Sequence, residues 1–325
     1  MNLQRNNGRY LSRSSQATLP LSGGGACSLG EPNLVNIQGV IPAPPFALLE
    51  FTGVERNDFL QRLLSNDMLL KPGEARSAYY LNVQGRPLAQ FWVFQWFEST
   101  WLVCPKEQAE SALAELDKMH FGEKLRMHDR TRDWQGTLLV GAARGQWLEQ
   151  RLAASVAGPW GFQAEAEWML CRFPFLASGS DLVWSKKPLF DDLPDVSLQW
   201  DLERIQAARA WPCDWGEKTM LLEVADSSDY MDGKGCYPGQ EVVARTLHRG
   251  HINRHITVVA GSGAPSLGSK LKAADKEVGW LSSLARDGDG FVALAFLRRE
   301  YWEPETELVL EDGGLVKVQA PRRED

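Results

Sequence analysis

The sequence predicts an α+β protein: two mixed α+β lobes followed by a small C-terminal β-barrel. Three observations carry this. Strand-like runs alternate with helical periodicity twice over between about residues 34 and 190. Beyond Arg249-Gly250, strand-like segments are divided by glycine-rich turns at the spacing of a small barrel. The chain has 325 residues, 44% of them hydrophobic and 24% charged, which is ordinary for a globular protein of two or three domains. The expected division is an extension at 1–33, a first lobe at 34–130, a second at 131–255 and the barrel at 256–325.

Ordered structure is expected from Leu34, with Leu34–Ile37 and Phe46–Phe51 as strands on either side of the Pro42-Pro44-Pro45 breaker. Thr52 and Glu55 have capping-box spacing, and Phe59, Leu60, Leu63 and Leu64 share a helical face before Ser65-Asn66-Asp67. Residues 75–103 read as an aromatic β meander turning through Gln84-Gly85-Arg86-Pro87. Its rings suit either a packed sheet or the wall of a cavity for a flat ring. Glu107–Met119 has the periodicity of a packing helix. Strands follow at Leu125–His128 and Thr137–Val140, a helix at Gln146–Val156, and strands at Trp168–Phe173 and Leu182–Ser185. Another helix is expected at Leu198–Trp211, ended by Pro212. No sequence repeat strong enough to prove internal duplication is evident. The barrel strands are expected at Ile256–Ala260, Lys270–Ala273, Val278–Leu284, Phe291–Leu297 and Leu308–Val318.

The run Lys234-Gly235-Cys236-Tyr237-Pro238-Gly239-Gln240-Glu241 concentrates the chemistry. Gly235, Pro238 and Gly239 set the loop geometry: a tight turn, with Pro238 suited to opening a helix. Cys236 beside a helix N-terminus and Lys234 is the setting in which a thiolate is favoured, and Cys236 and Lys234 are the catalytic candidates. A buried structural cysteine is the alternative. Glu241 and Arg245 are spaced for an i, i+4 ion pair.

With the following Val242-Val243-Ala244-Arg245, this run resembles the diagnostic segment of the YgfZ-type folate-binding proteins. These form the iron–sulfur maintenance branch of the T-protein aminomethyltransferase superfamily. FTGVERNDFLQRLLSNDM, beginning at Phe51, is similar to that family's N-terminal signature. The resemblance implies a T-protein-like fold around a central cavity, tetrahydrofolate or a derivative as ligand, and contacts to it from Tyr237, Gln240, Glu241 and Arg245. It also implies iron–sulfur enzymes as partners, including the radical methylthiotransferases that modify tRNA, and a monomer acting without conventional turnover. The alternative is a tetrahydrofolate-dependent aminomethyltransferase. Such enzymes carry an acidic residue after the Gly turn, where this chain has Leu88-Ala89-Gln90, and lack Cys in the Lys-Gly segment.

A net charge of −7 and a pI near 5.4 argue against a protein that coats nucleic acid, so no direct nucleic-acid contact is expected. The five cysteines, Cys27, Cys104, Cys171, Cys213 and Cys236, show no metal-ligand spacing and read as reduced cytosolic thiols, with no bound metal cluster expected. Arg5, Arg9 and Arg13 precede the first acid, Glu31, which suits a disordered extension or a transit peptide and so a mitochondrial matrix address. No apolar run reaches the roughly 20 residues of a membrane span. His248, His251 and His255 cross Gly250 and read as solvated or anion-facing residues with Arg245, Arg249 and Arg254.

Overall fold

The computed structural model describes residues 37–158 and 160–323, all within one compact unit spanning Asn33–Asp325. The expected extension at 1–33, with Cys27, and the strand start at Leu34–Asn36 lie outside the described residues.

The first lobe runs β1 (Gly39–Pro42), β2 (Phe46–Thr52), α1 (Arg56–Leu63), β3 (Ala75–Leu81), β4 (Pro87–Trp96), β5 (Ser99–Pro105), α2 (Ala109–Lys118) and β6 (Arg126–Asp129). The second runs β7 (Gln135–Val140), α3 (Arg144–Leu152), β8 (Phe162–Ala164), β9 (Trp168–Arg172) and β10 (Ser180–Ser185). Their sheets have the orders β3-β4-β5-β2-β6 and β8-β9-β10-β7-β1, the same path twice. One edge strand of each sheet is exchanged. β6 immediately precedes the second lobe yet pairs with β2, and β1 precedes the first lobe yet pairs with β7. The sheets therefore do not follow a division at residue 130.

The duplication also has a local signature. Gly53 and Gly141 follow β2 and β7 with φ of 102° and 94°. A Cβ there would lie 2.1 Å from the Lys124 carbonyl oxygen and 2.2 Å from that of Ile37, in the segments leading to the exchanged strands. Three residues on, Arg56 and Arg144 each donate through Nη1 back to that glycine's carbonyl, at 2.9 and 2.8 Å. The repeat is Gly-x-x-Arg-x-x-aromatic-Leu, at Gly53–Leu60 and Gly141–Leu148, with both leucines buried.

The facing sheets enclose an aromatic core. Phe46 meets Trp92 at 5.5 Å and Phe173 at 5.2 Å edge-on, while Phe94, Trp101 and Trp184 join the same cluster. Tyr80 and Phe91 turn the other way, into the core under α1 and α2. The meander's aromatics thus act chiefly as core.

After β10 the chain enters α4 (Trp200–Gln206), α5 (Gln240–Arg249) and then β11 (Arg254–Ser262), β12 (Lys270–Ala273), β13 (Lys276–Asp287), β14 (Gly290–Arg298), β15 (Glu307–Leu310) and β16 (Leu315–Gln319). These strands close as β11-β14-β13-β12-β15-β16, confirming the barrel. α4 packs across its β13 and β14 face, with Ile205 against Val292, Leu294 and Phe296.

Several boundaries differ from expectation. The Thr52–Glu55 capping box does not form: Glu55 is itself the cap residue, and its carboxylate accepts the Lys124 N–H at 2.7 Å. Ala153, at φ 47°, ends α3 short of Val156. The helix expected over 198–211 is a 3-10 turn at Ser197–Gln199 followed by the short α4, because Ala208 at φ 55° turns the chain out before Arg209. β1 and β8 were not expected, β1 because it ends in the proline-rich stretch.

Candidate functional site

The segment before Cys236 is stitched to the connection between α1 and β3. Ser65 Oγ donates to the Asp229 carbonyl at 2.6 Å and accepts the Tyr79 N–H at 2.8 Å, while the Ser65 carbonyl accepts Met231 N–H at 3.0 Å. Asn66 Nδ2 donates to the carbonyls of Ser77 and Ser228, at 2.9 and 2.6 Å. Ser77 Oγ donates to Asp229 Oδ1 at 2.5 Å, and Asp229 Oδ2 accepts the Asp226 N–H at 2.8 Å. Burial, reinforced by Asp226, pushes the Asp229 carboxyl above the usual range. The two stretches that carry the family resemblance thus form one structural unit.

From this base rises the loop. Lys234 is half-buried; its ammonium is donated to the Gln61 carbonyl and lies 5.1 Å from the Tyr237 ring centroid, while Gln61 Nε2 donates to the Lys234 carbonyl at 3.3 Å. No hydrogen bond joins Lys234 to Cys236 among the described residues. Burial brings the lysine down to about 8, against a smaller upward pull from Asp67. Gly235 and Cys236 are exposed, whereas Tyr237 is buried with Tyr79, Leu81, Leu221 and Val243, its hydroxyl pushed up to about 12 chiefly by burial.

Gly239, at φ 78°, caps α5; a Cβ there would sit 2.5 Å from the Asn82 carbonyl oxygen and 2.7 Å from Gly85 Cα. It is where the loop docks on the β3–β4 turn. Cys236 accordingly lies three residues before the cap, and Pro238 belongs to the turn rather than the helix. Glu241 and Arg245 form the expected i, i+4 pair at 2.5 Å, both largely exposed. Gln240 is half-buried.

A cleft of about 130 Å³ lies behind the helix, lined by Gly85, Met220–Glu223, Val243, Thr246, His251, Ile252 and Asn253. Glu223 is held at its wall by Arg254, which donates through Nε and Nη2 at 2.6 and 3.1 Å, and by the Met220 N–H at 2.9 Å. Residues 234–241 do not line this cleft; Gly239 reaches its edge only through Gly85. Val243 and Thr246 face it, so Glu241 and Arg245, roughly 130–170° around the helix from the middle of that face, point elsewhere. The sequence did not bring the cleft residues together, because they come from a turn, a 3-10 helix, α5 and the strand approach, with no shared period.

A second feature lies on β4, where Gln90 pairs across from Tyr79 and is 6% exposed. Its Oε1 is buried without a hydrogen-bond partner. The three histidines do not converge: His248 meets Asp232 at 2.7 Å, His255 meets the Ile256 carbonyl at 2.6 Å, and His251 lines the cleft. With Arg245 and Arg254 also paired to acids, the basic cluster is largely neutralised locally. Among the described residues, no three His, Cys, Asp or Glu side chains are grouped to hold a metal ion, and no helix is long and apolar enough to cross a membrane.

The fold is that of the T-protein aminomethyltransferases: the glycine cleavage system aminomethyltransferase T of Bartonella henselae superposes with a TM-score of 0.76 at 19% identity, covering 89% of this chain and 88% of that one. In sequence, the chain is similar to the YgfZ and IBA57 proteins. It is 23% identical over 301 residues to the tRNA-modifying protein YgfZ of Aliivibrio fischeri, covering 85% of this chain and 90% of that protein. It is 28% identical over 303 residues to the mitochondrial iron–sulfur cluster assembly factor IBA57 of Mus musculus, with 84% and 81% covered. The IBA57 homologue of Coccidioides immitis matches at 25% over 233 residues, 66% of this chain, which spans only 54% of that relative's length. No known family profile matches the chain. The YgfZ-type resemblance is therefore carried by most of the sequence, not by the Cys236 segment alone.

Proposed function

We propose that this chain is a folate-binding accessory factor for assembly or repair of iron–sulfur enzymes, among them enzymes that modify tRNA. The observation that carries the reading is an exposed thiol, Cys236, on a turn of one signature segment anchored through Gln61 to the other, in a chain whose relatives are named for cluster assembly and tRNA modification. A thiolate is a soft ligand and a nucleophile, suited to transient contact with iron or sulfur. The other described cysteines suit this less. Burial pushes the thiols of Cys104 and Cys171 up; Cys213 is exposed at the surface, but its sulfur, also pushed up chiefly by burial, lies between Arg204 and Ser283. The single thiol of this turn cannot hold a cluster, so the remaining ligands would come from the client.

One feature fits a folate. The cleft has room for a ring-sized group between apolar Leu222, Val243 and Ile252 and polar Thr246, His251 and Asn253. We assign the ring to the cleft, which Gln90 does not line. The aminomethyltransferase reading has the fold in its favour. Against it stands Gln90, a neutral carboxamide that cannot take a proton from an amine.

The test is complementation of a strain lacking its endogenous factor, scored by iron–sulfur enzyme activity under oxidative stress. Full activity of Cys236→Ser would overturn the role of the thiol. Native mass spectrometry with a panel of reduced folates tests the ligand separately, Ile252→Trp being expected to abolish binding.

A further inference from the structure

We propose that Gln61 is a positioning residue for Cys236, forming with Lys234 a two-point latch that holds the thiol-bearing turn against the end of α1. The inference rests on reading Cys236 as the working thiol. Gln61 lies in the last turn of α1, where backbone carbonyls lack intrahelical partners and the helix end is partially negative. Its carbonyl takes the Lys234 ammonium, a cation suited to that end. Its side chain works in the opposite direction: Nε2 donates to the Lys234 carbonyl at 3.3 Å, while Oε1 accepts the Met68 N–H at 2.6 Å and fixes the carboxamide. One glutamine therefore grips both the head and the backbone of one lysine, 173 residues away.

The latch brackets the thiol. On one side the turn is fixed through Lys234; on the other, Tyr237 is buried and its ring lies under the same ammonium. Only Gly235 and Cys236 project, and a Cβ at Gly235 would meet no atom within 4 Å. A lone sulfur that must meet ligands supplied by a client gains from being held in one place, because ordering is then complete before the encounter. Lys234 thus serves to place the sulfur.

The experiment uses the full chain with Cys27 and Cys213 changed to Ser and a nitroxide attached at Cys236. Spin-label mobility is measured beside thermal midpoint, and complementation is measured with the unlabelled, otherwise native chain. Gln61→Met keeps length but removes both side-chain bonds, Lys234→Met removes the ammonium, and Lys234→Arg retains a donor for the Gln61 carbonyl. Expected are loss of the immobilised spectral component and of complementation in Gln61→Met and Lys234→Met, with both retained in Lys234→Arg and the thermal midpoint little changed. An unchanged spectrum in Gln61→Met overturns the latch. A mobile label with full complementation overturns its role. Full activity of Cys236→Ser is a different outcome, removing the reading beneath while leaving the latch measurable by its spectrum.

Discussion

At Gly239 two demands coincide: a left-handed backbone at φ 78° and a backbone approach that leaves a Cβ 2.5 Å from the Asn82 oxygen. Gly239→Ala is expected to cost at least about 2 kcal/mol in urea unfolding, the left-handed penalty plus a clash with main chain that cannot rotate away. Cys236→Ser, at an exposed site, should leave stability within about 0.5 kcal/mol while abolishing complementation. Lys234 gives a pH signature. Its pKa is brought down to about 8 in the folded chain, against about 10.4 when unfolded, so in that window the unfolded state binds more protons and stability rises with pH. Tyr237, pushed up to about 12, acts oppositely above its unfolded value of about 10. The stability difference between the native chain and Lys234→Met should therefore grow between about pH 8 and 10, with an amplitude damped by the ammonium's partial exposure. A flat difference would show that the ammonium stays solvated. Residue by residue, the Glu241–Arg245 pair was legible because its spacing is a property of the helix itself. The partner of Lys234 was not, because nothing local in the sequence points to Gln61.

Among elements, those bounded by strong punctuation were readable: β2, the meander of β3 to β5, α2 and the first four barrel strands fall close to where periodicity and glycine turns put them, whereas the single strand expected at Leu308–Val318 is two, β15 and β16, joined by a turn at Glu311–Gly314. The misses have physical causes. α4 stops because Ala208 adopts a left-handed conformation without glycine, and β1 is a strand only because β7 is there to pair with it. The internal repeat escaped notice because its signal is two distant short motifs whose meaning lies in a close approach. At Gly53 and Gly141 the approaches match within 0.1 Å, so Gly53→Ala and Gly141→Ala should lower stability by similar amounts, roughly 3 kcal/mol or more each. Chemical unfolding of the two variants checks this; a loss at one site and none at the other would show that the glycines are not equivalent.

Over the whole molecule, exchanged edges and a shared aromatic core tie both lobes into one cooperative unit. Tryptophan fluorescence, reporting the core at Trp92 and Trp184, and far-ultraviolet circular dichroism should give coincident unfolding curves for the two lobes. A fragment ending at residue 130 should pair its own sheet without unfolding cooperatively, since Phe46 and Trp92 would lose Phe173 and Trp184 and β1 would have no partner strand. The α+β class and the barrel were visible in composition and pattern, whereas this interlocking depends on pairings across about 100 residues that no local pattern encodes. It also sets a timetable for synthesis. β1 leaves the ribosome some 95 residues before β7, so at about 5–20 residues per second its pairing groups wait roughly 5–20 s for their complement. β6, by contrast, meets a β2 already made. The nascent chain can thus finish the sheet of its first lobe early, but must carry an unsatisfied strand until the second begins, a window in which a holding chaperone would find its substrate.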